Sequence, residues 1–331
     1  MKDSLSRRDV GRLSALAALA LLAAPAAQAQ TADKFPSKPV RIMYPFAAGG
    51  GMEVVLRVMA EDMQKSTGQP FIVENRTGAG GSIAANAAAT AAPDGYTLFV
   101  GPIGISAITP HLRKLPYDAR RDLVAVAKLS EFSSAYVVSN ALPVKTLPEF
   151  IAYAKAHPGK VTYATSGVGS QGHLGGEMLQ KAWGIKMTHV PYKGAAEISI
   201  DLIAGRVDFS SDVTMLQYVK QGKARLLATA AATRLADFPD VPTLAETGVP
   251  DPRATGTWFG AFAPKGTPQP IIDKLAAAFE KALKNPDVIA RMQPYAMSPA
   301  FAGPAAFEKQ WAHDYELYGN VIRELGIKLE N

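Results

Sequence analysis

Val40-Arg41-Ile42-Met43-Tyr44-Pro45 is an apolar, β-prone run. It leads straight into Phe46-Ala47-Ala48-Gly49-Gly50-Gly51, after which a helical pattern begins at Met52. A strand, a glycine turn and a helix start together make an anion trap. Glycine lets backbone N–H groups turn toward a ligand with no Cβ in the way. The helix start adds unpaired N–H donors and the positive end of the dipole. A second segment, Gly167-Val168-Gly169-Ser170-Gln171-Gly172, also follows an expected strand and opens an expected helix. Thr165, Ser166, Ser170 and Gln171 supply neutral polar groups there. Its spelling is that of a dinucleotide loop, G-x-G-x-x-G. That chemistry also needs an acidic residue about 20 positions on, to hold a ribose. The place holds His189-Val190-Pro191-Tyr192-Lys193, with no carboxylate. A nucleotide is therefore disfavoured, and the segment reads as an anion seat or as a tight strand-to-helix turn.

Searches for catalytic groups return little. The histidines are His111, His157, His173, His189 and His313, and no pair has the H-E-x-x-H spacing of a helical zinc site. No G-x-S-x-G elbow exists, because Val168 stands where its first glycine belongs. No Walker loop is present. The chain has no cysteine, so disulfides, thiolate metal sites and a cysteine nucleophile are excluded. His173 and Ser170 sit close on the second loop and read as hydrogen-bonding groups rather than a base and its nucleophile. No cofactor is expected. Lys193 reads as a partner for a carboxylate or as a solvated loop charge. Asp212 reads as a ligand contact or as a helix cap. Trp258 and Phe259 read as core.

These residues need elements to position them. Short β-like runs alternate with helical patterns along the chain, and the opening β-α-β-α-β order predicts a parallel sheet with helices on its faces. Thr146-Leu147-Pro148-Glu149 spells a capping box opening a helix. A second set of βα units follows, then a helical tail. Two α/β lobes result. Lys2, Arg7, Arg8 and Arg12 precede an Ala/Leu-rich stretch too short to span a bilayer, and Ala27-Gln28-Ala29 fits a small-x-small cleavage site. Residues 1–29 are thus expected to be an export signal, twin-arginine-like or Sec. The remainder suits two domains of roughly 100–200 residues. Formal net charge is +6, and Lys/Arg residues are not interleaved with aromatics, so nucleic acid is not an expected partner.

The motifs taken together carry a resemblance. Phe35-Pro36-Ser37-Lys38-Pro39-Val40-Arg41-Ile42 and Pro45 to Gly50 resemble the opening of Bug-type solute-binding proteins of tripartite tricarboxylate transporters. The likeness continues through Val73-Glu74-Asn75-Arg76-Thr77-Gly78-Ala79-Gly80-Gly81, Ala92-Pro93-Asp94-Gly95-Tyr96-Thr97-Leu98 and Leu115-Pro116-Tyr117-Asp118. It runs on through Leu142-Pro143-Val144-Lys145, Ser166 to His173, His189 to Gly194, Asp240-Val241-Pro242-Thr243 and Trp258-Phe259-Gly260. It covers essentially the whole chain after the signal.

The resemblance implies a type II periplasmic binding protein fold, each lobe a mainly parallel sheet flanked by helices. Lobe 1 would be discontinuous, 30–130 plus 256–331, and lobe 2 would span 131–255. The chain would cross near Glu131 and return near Gly256. It implies a monomer that captures a carboxylate between two glycine loops, one per lobe, and hands it to membrane transporter subunits. Carried across, the ligand contacts are Phe46, Ala47, Ala48, Gly49, Gly50, Met52, Pro102, Ile103, Thr165, Ser166, Gly169, Ser170, Gln171, His173, Tyr192 and Asp212. Departures from the family pattern fall at Gly51-Met52-Glu53, Val213, Ser210 and Ser211. They predict a roomier, more apolar pocket end, suited to an aromatic or longer diacid such as terephthalate, with Met52-Glu53 as the place where specificity diverges. A receptor feeding a sensor kinase and an exported hydrolase are the alternatives.

Overall fold

The computed structural model describes residues 34–49, 51–132, 134–192, 194–231, 233–250, 257–295 and 297–327. The expected export signal, Gly50, Lys193 and the return near Gly256 lie outside the described residues.

Two sheets organise the chain. The first has strands β1 (Val40–Tyr44), β2 (Phe71–Asn75), β3 (Thr97–Pro102), β4 (Leu123–Phe132), β10 (Thr257–Pro264) and β11 (Met297–Ala302), in the order β11-β4-β10-β3-β1-β2. The second has β5 (Ala135–Ser139), β6 (Thr162–Thr165), β7 (Thr188–Pro191), β8 (Phe209–Ser210) and β9 (Ala224–Thr229), in the order β7-β6-β8-β5-β9. The chain passes from one sheet to the other between Phe132 and Ala135, and is back in the first sheet at Thr257.

Both sheets are mixed. β1 is parallel to β2 and β3, as the β-α-β-α-β order predicts. β10 is antiparallel to both β3 and β4, and β11 is antiparallel to β4. In the second sheet β6 is parallel to β7 and β8, while β5 is antiparallel to β8 and β9. A parallel neighbour requires a crossover connection. The strands next to the two crossings enter from the other sheet without one, so they pair antiparallel.

Alternation along the strands assigns side chains to opposite faces. In β1, Val40, Ile42 and Tyr44 enter one core cluster and Met43 the other. In β10, Phe259, Ala261 and Ala263 join the first cluster, and Trp258 and Phe262 the second. Helices α1 (Gly51–Thr67), α6 (Gln269–Leu283) and α7 (Pro286–Met292) cover the first face. Helices α2 (Ser82–Ala89) and α8 (Pro304–Leu325) cover the second. α8 buries Phe307, Trp311, Tyr318 and Ile322, a stripe at helical spacing. Gly260 makes this packing feasible, since a Cβ there would lie 2.2 Å from the Phe307 ring.

The second sheet is covered by α3 (Leu147–Ala156) and α4 (Gln171–Trp183) on one face and α5 (Ala195–Ile203) on the other. α4 also touches the first unit. Leu174 packs into the second core cluster beside α8, Lys181 pairs with Glu324 at 2.7 Å, and the Thr257 hydroxyl donates to the Gln171 side chain.

Candidate ligand cleft

A cleft of about 490 Å³ opens between the two sheets. Phe46, Phe132 and Phe259 line it from the first sheet and its crossings. Ser134, Ala164, Thr165, Ser166, Gln171, Gly172, Gly175, Ser211, Asp212, Val213, Thr214 and Thr257 complete the lining. A smaller hollow, about 300 Å³, lies apart from both glycine loops, with Arg113, Lys114 and Arg121 around it.

The aromatic side of the cleft is one continuous wall. Phe46 meets Tyr44 edge-on at 5.6 Å, Tyr44 stacks on Phe259 at 6.4 Å, and Phe259 meets Phe132 at 5.6 Å. Phe46 is 41% exposed, whereas Phe259 is 7% exposed. Phe259 therefore belongs to the core and also lines the cleft.

The opposite side is built by the second glycine loop. Gly167 and Gly169 have φ of +112° and +74°, a region in which a Cβ is strained. Ser170 caps α4, its Oγ accepting from the His173 N–H at 3.2 Å. The Gly169 N–H donates to His173 Nδ1 at 3.1 Å. His173 stacks on His189 at 4.1 Å, and His189 Nε2 is 2.7 Å from Thr165 Oγ1. Burial lowers the His173 value. Burial, with His173 beside it, lowers His189 to about 4. Both rings are thus neutral near pH 7 and serve as a scaffold under the loop. The first turn of α4 and Ser166 then face the cleft with hydroxyl, amide and backbone groups.

Among the described lining residues Asp212 is the one charged side chain, and no Lys or Arg contributes. Asp212 Oδ1 accepts from the Thr214 N–H at 2.9 Å and from its hydroxyl at 2.7 Å. It is a cap as well as a lining residue. No group of three or more His, Asp or Glu among the described residues is placed to hold a metal.

Of the residues expected from sequence, Phe46, Thr165, Ser166, Gln171 and Asp212 meet at this cleft. Ala47, Ala48 and Gly49 are exposed beside it and are not among its lining. Met52 is turned into the core, its sulfur accepting from the Ser130 hydroxyl at 3.8 Å. Pro102 ends β3 opposite Phe259, and Ile103 is buried in the second core cluster. Gly169, Ser170 and His173 support the loop from behind. The Tyr192 hydroxyl donates to Asp201 at 2.8 Å, and its value is raised to about 12 by burial and by that carboxylate. Gly50 lies outside the described residues.

Sequence reasoning missed Phe132, Ser134 and Thr257, and assigned Phe259 to the core alone. All four flank the two crossings between the sheets. The available signal was position: a cleft between two lobes is floored by the segments that join them. Gly172 and Gly175 follow from the first turns of α4, and Ser211, Val213 and Thr214 flank Asp212.

Residues 55–327 match the family described as tripartite tricarboxylate transporter family receptor. The chain is similar to periplasmic binding protein BugD, with 32% identity and TM-score 0.71 over 89% of this chain and all of that one. It is similar to Rpa4515 of R. palustris, solved with adipate, with 31% identity and TM-score 0.74 over 89% of this chain and all of that one. It is also similar to MatC of Rhodopseudomonas palustris, solved with bound malate, with 33% identity and TM-score 0.68 over 87% of this chain and all of that one. The chain belongs to the tripartite tricarboxylate transporter receptor family: it is a two-lobed solute-binding protein of the periplasmic type, and not an enzyme.

Proposed function

We propose that this receptor works in the periplasm, captures a carboxylate between its two lobes and delivers it to a tripartite tricarboxylate-type membrane transporter. The observation that carries the reading is the two-sided cleft. One side offers hydroxyl and backbone groups at the start of α4, where a carboxylate is favoured by orphan N–H groups and the helix dipole. The other side is a wall of phenyl rings. Adipate and malate, found with two neighbours, are both dicarboxylates. The wall favours a ligand with an aromatic or apolar body, and an aromatic diacid such as terephthalate has that shape. We read residues 30–130 plus 256–331 as one lobe and 131–255 as the other, working as a monomer. Closure of one lobe on the other would complete the site, because neither side alone surrounds a ligand. Residues 1–29 would direct export.

Mass spectrometry of ligand released from gently purified protein tests this directly. A thermal-shift panel of carboxylates supports it, since a ligand at 100 times its Kd stabilises by roughly 2.7 kcal/mol. A co-purified carboxylate that also raises the melting temperature is the expected result. No stabilisation by any carboxylate, or conversion of the bound ligand to product, overturns the reading.

A further inference from the structure

Helix α4 is shared between the two sheets. Leu179 and Trp183 pack it into the core of the second sheet. Gln171, Leu174, Met178 and Lys181 recur at helical spacing on another face, and that face meets the first unit. Leu174 and Met178 pack into the cluster that holds Tyr318 and Ile322 of α8, and Lys181 pairs with Glu324. At the cleft end the contact is polar. Gln171 Oε1 accepts from the Thr257 hydroxyl. The other end of the same amide donates to the Tyr318 phenol oxygen, a bond that lowers the phenol against the rise brought by burial.

The start of α4 needs such support. Gly172, Gly175 and Gly176 fall in its first two turns. Glycine is a poor helix former, because it loses the most backbone freedom on ordering. Gly176 is required by packing, since a Cβ there would lie 2.3 Å from the Tyr163 ring. The half of α4 that faces the cleft is thus the half least able to hold itself as a helix. Ser170 caps it from its own loop, and Gln171, gripped by Thr257 and Tyr318, fastens it to the first unit. Tyr318 is 1% exposed and is not among the residues lining the cleft.

We propose that Tyr318 is a positioning residue for ligand binding: from α8 it fixes the Gln171 amide, and with it the glycine-rich start of α4, in the orientation that receives the ligand's carboxylate. This rests on the reading of the cleft as a carboxylate site. Tyr318 acts through Gln171 and does not touch the ligand. The aim of the α4 start is set by the opposite unit, so the two sides of the cleft are registered to each other before a ligand arrives.

Hydrogen exchange on the ligand-free protein tests the grip. Tyr318→Phe removes the hydroxyl and keeps the ring. It is expected to speed exchange at the amides of residues 173–176 about fivefold, the size of one neutral hydrogen bond, and to leave residues 179–183 unchanged. A uniform rise along α4 reports ordinary loss of stability and overturns the proposal, as does no change. Calorimetry with adipate and with terephthalate reads the consequence. Tyr318→Phe is expected to weaken binding about fivefold and Gln171→Leu about tenfold. Tyr318→Phe added to Gln171→Leu is expected to weaken it no further, because the hydroxyl acts only through the amide. Losses that multiply overturn the proposal. Thr257→Val removes the other partner of the amide and gives the same readouts if Tyr318→Phe fails to fold. If neither diacid binds the native protein, the diacid reading of the cleft is overturned, and the exchange pattern still decides the role of Tyr318.

Discussion

At the first glycine loop a backbone N–H points to Glu53 of the same segment; at the second, the start of α4 faces the cleft with Ser166, Gln171 and Gly172. The two segments look alike in sequence. Each follows a strand, is rich in glycine and opens a helix. Their helix starts differ in what satisfies them. α1 carries an acidic side chain in its first turn, and that side chain folds back onto the loop. α4 has no acid in its first turn and is capped by the neutral Ser170. Both loops spend a glycine N–H within the chain, Gly49 on the acidic Glu53 and Gly169 on the imidazole of His173; the first then presents a ring to the cleft and the second the start of α4.

The largest effect should come from the wall behind the first loop. Phe259→Ala removes a ring that is both core and lining, and should cost about 3–5 kcal/mol of stability in chemical denaturation. If the loss is below about 1 kcal/mol, Phe259 is a lining residue only.

Equal insults to the two loops should then separate them. Gly167→Ala places a methyl at φ +112° on the loop that opens α4 and should lower carboxylate affinity about tenfold, roughly 1.4 kcal/mol. Gly49→Ala places a methyl at φ +92° in open space and should leave affinity within about threefold. Calorimetry on both variants checks the pair, and equal losses would erase the contrast drawn here.

Phe46→Ala should lower affinity for aromatic acids about tenfold with stability changed by less than about 0.5 kcal/mol, because the ring is exposed until a ligand covers it.

The histidine scaffold gives the second loop a pH dependence. His189 is held near 4 when folded, against about 6.5 unfolded. As pH falls the unfolded chain takes the proton first. The contribution of the neutral ring is therefore complete above about pH 6.5 and is lost as pH falls toward about 4. The melting temperature should decline across that window, and His189→Gln should flatten the decline. Glu74, held near 2 chiefly by its hydrogen bond from Arg41, titrates in a lower window between about 4.5 and 2.

The smallest effect belongs to Lys181→Ala. Its pair with Glu324 joins α4 to α8 but is exposed on both partners, so stability should change by less than about 1 kcal/mol.

Much of this was legible in the chain. The β-α-β-α-β opening, the two loops, the cap at Ser170 and the capping box at Thr146 are local features, and local rules find them. β4 and β11 were missed. β4, Leu-Val-Ala-Val-Ala-Lys-Leu-Ser-Glu-Phe, is buried on both faces for most of its length and shows no alternation. β11 contains Pro299 and owes its strand form to pairing with β4 across a bulge. Met52 was expected at the ligand because it follows the loop in sequence. The helix turns it into the core, beside Glu53, which accepts from the Gly49 N–H.

The sequence by itself determined the fold class and the family, because the first rests on periodicity and turn chemistry and the second on the resemblance of ordered motifs that the chain carries before it folds. Only the tertiary structure decided which residues line the cleft and what backs each glycine loop. Those depend on what sits behind each loop: Asn75, Arg57 and Tyr295 behind the first, two stacked imidazoles behind the second. Such neighbours are brought together by sheet order and helix packing, and no spacing along the chain records them.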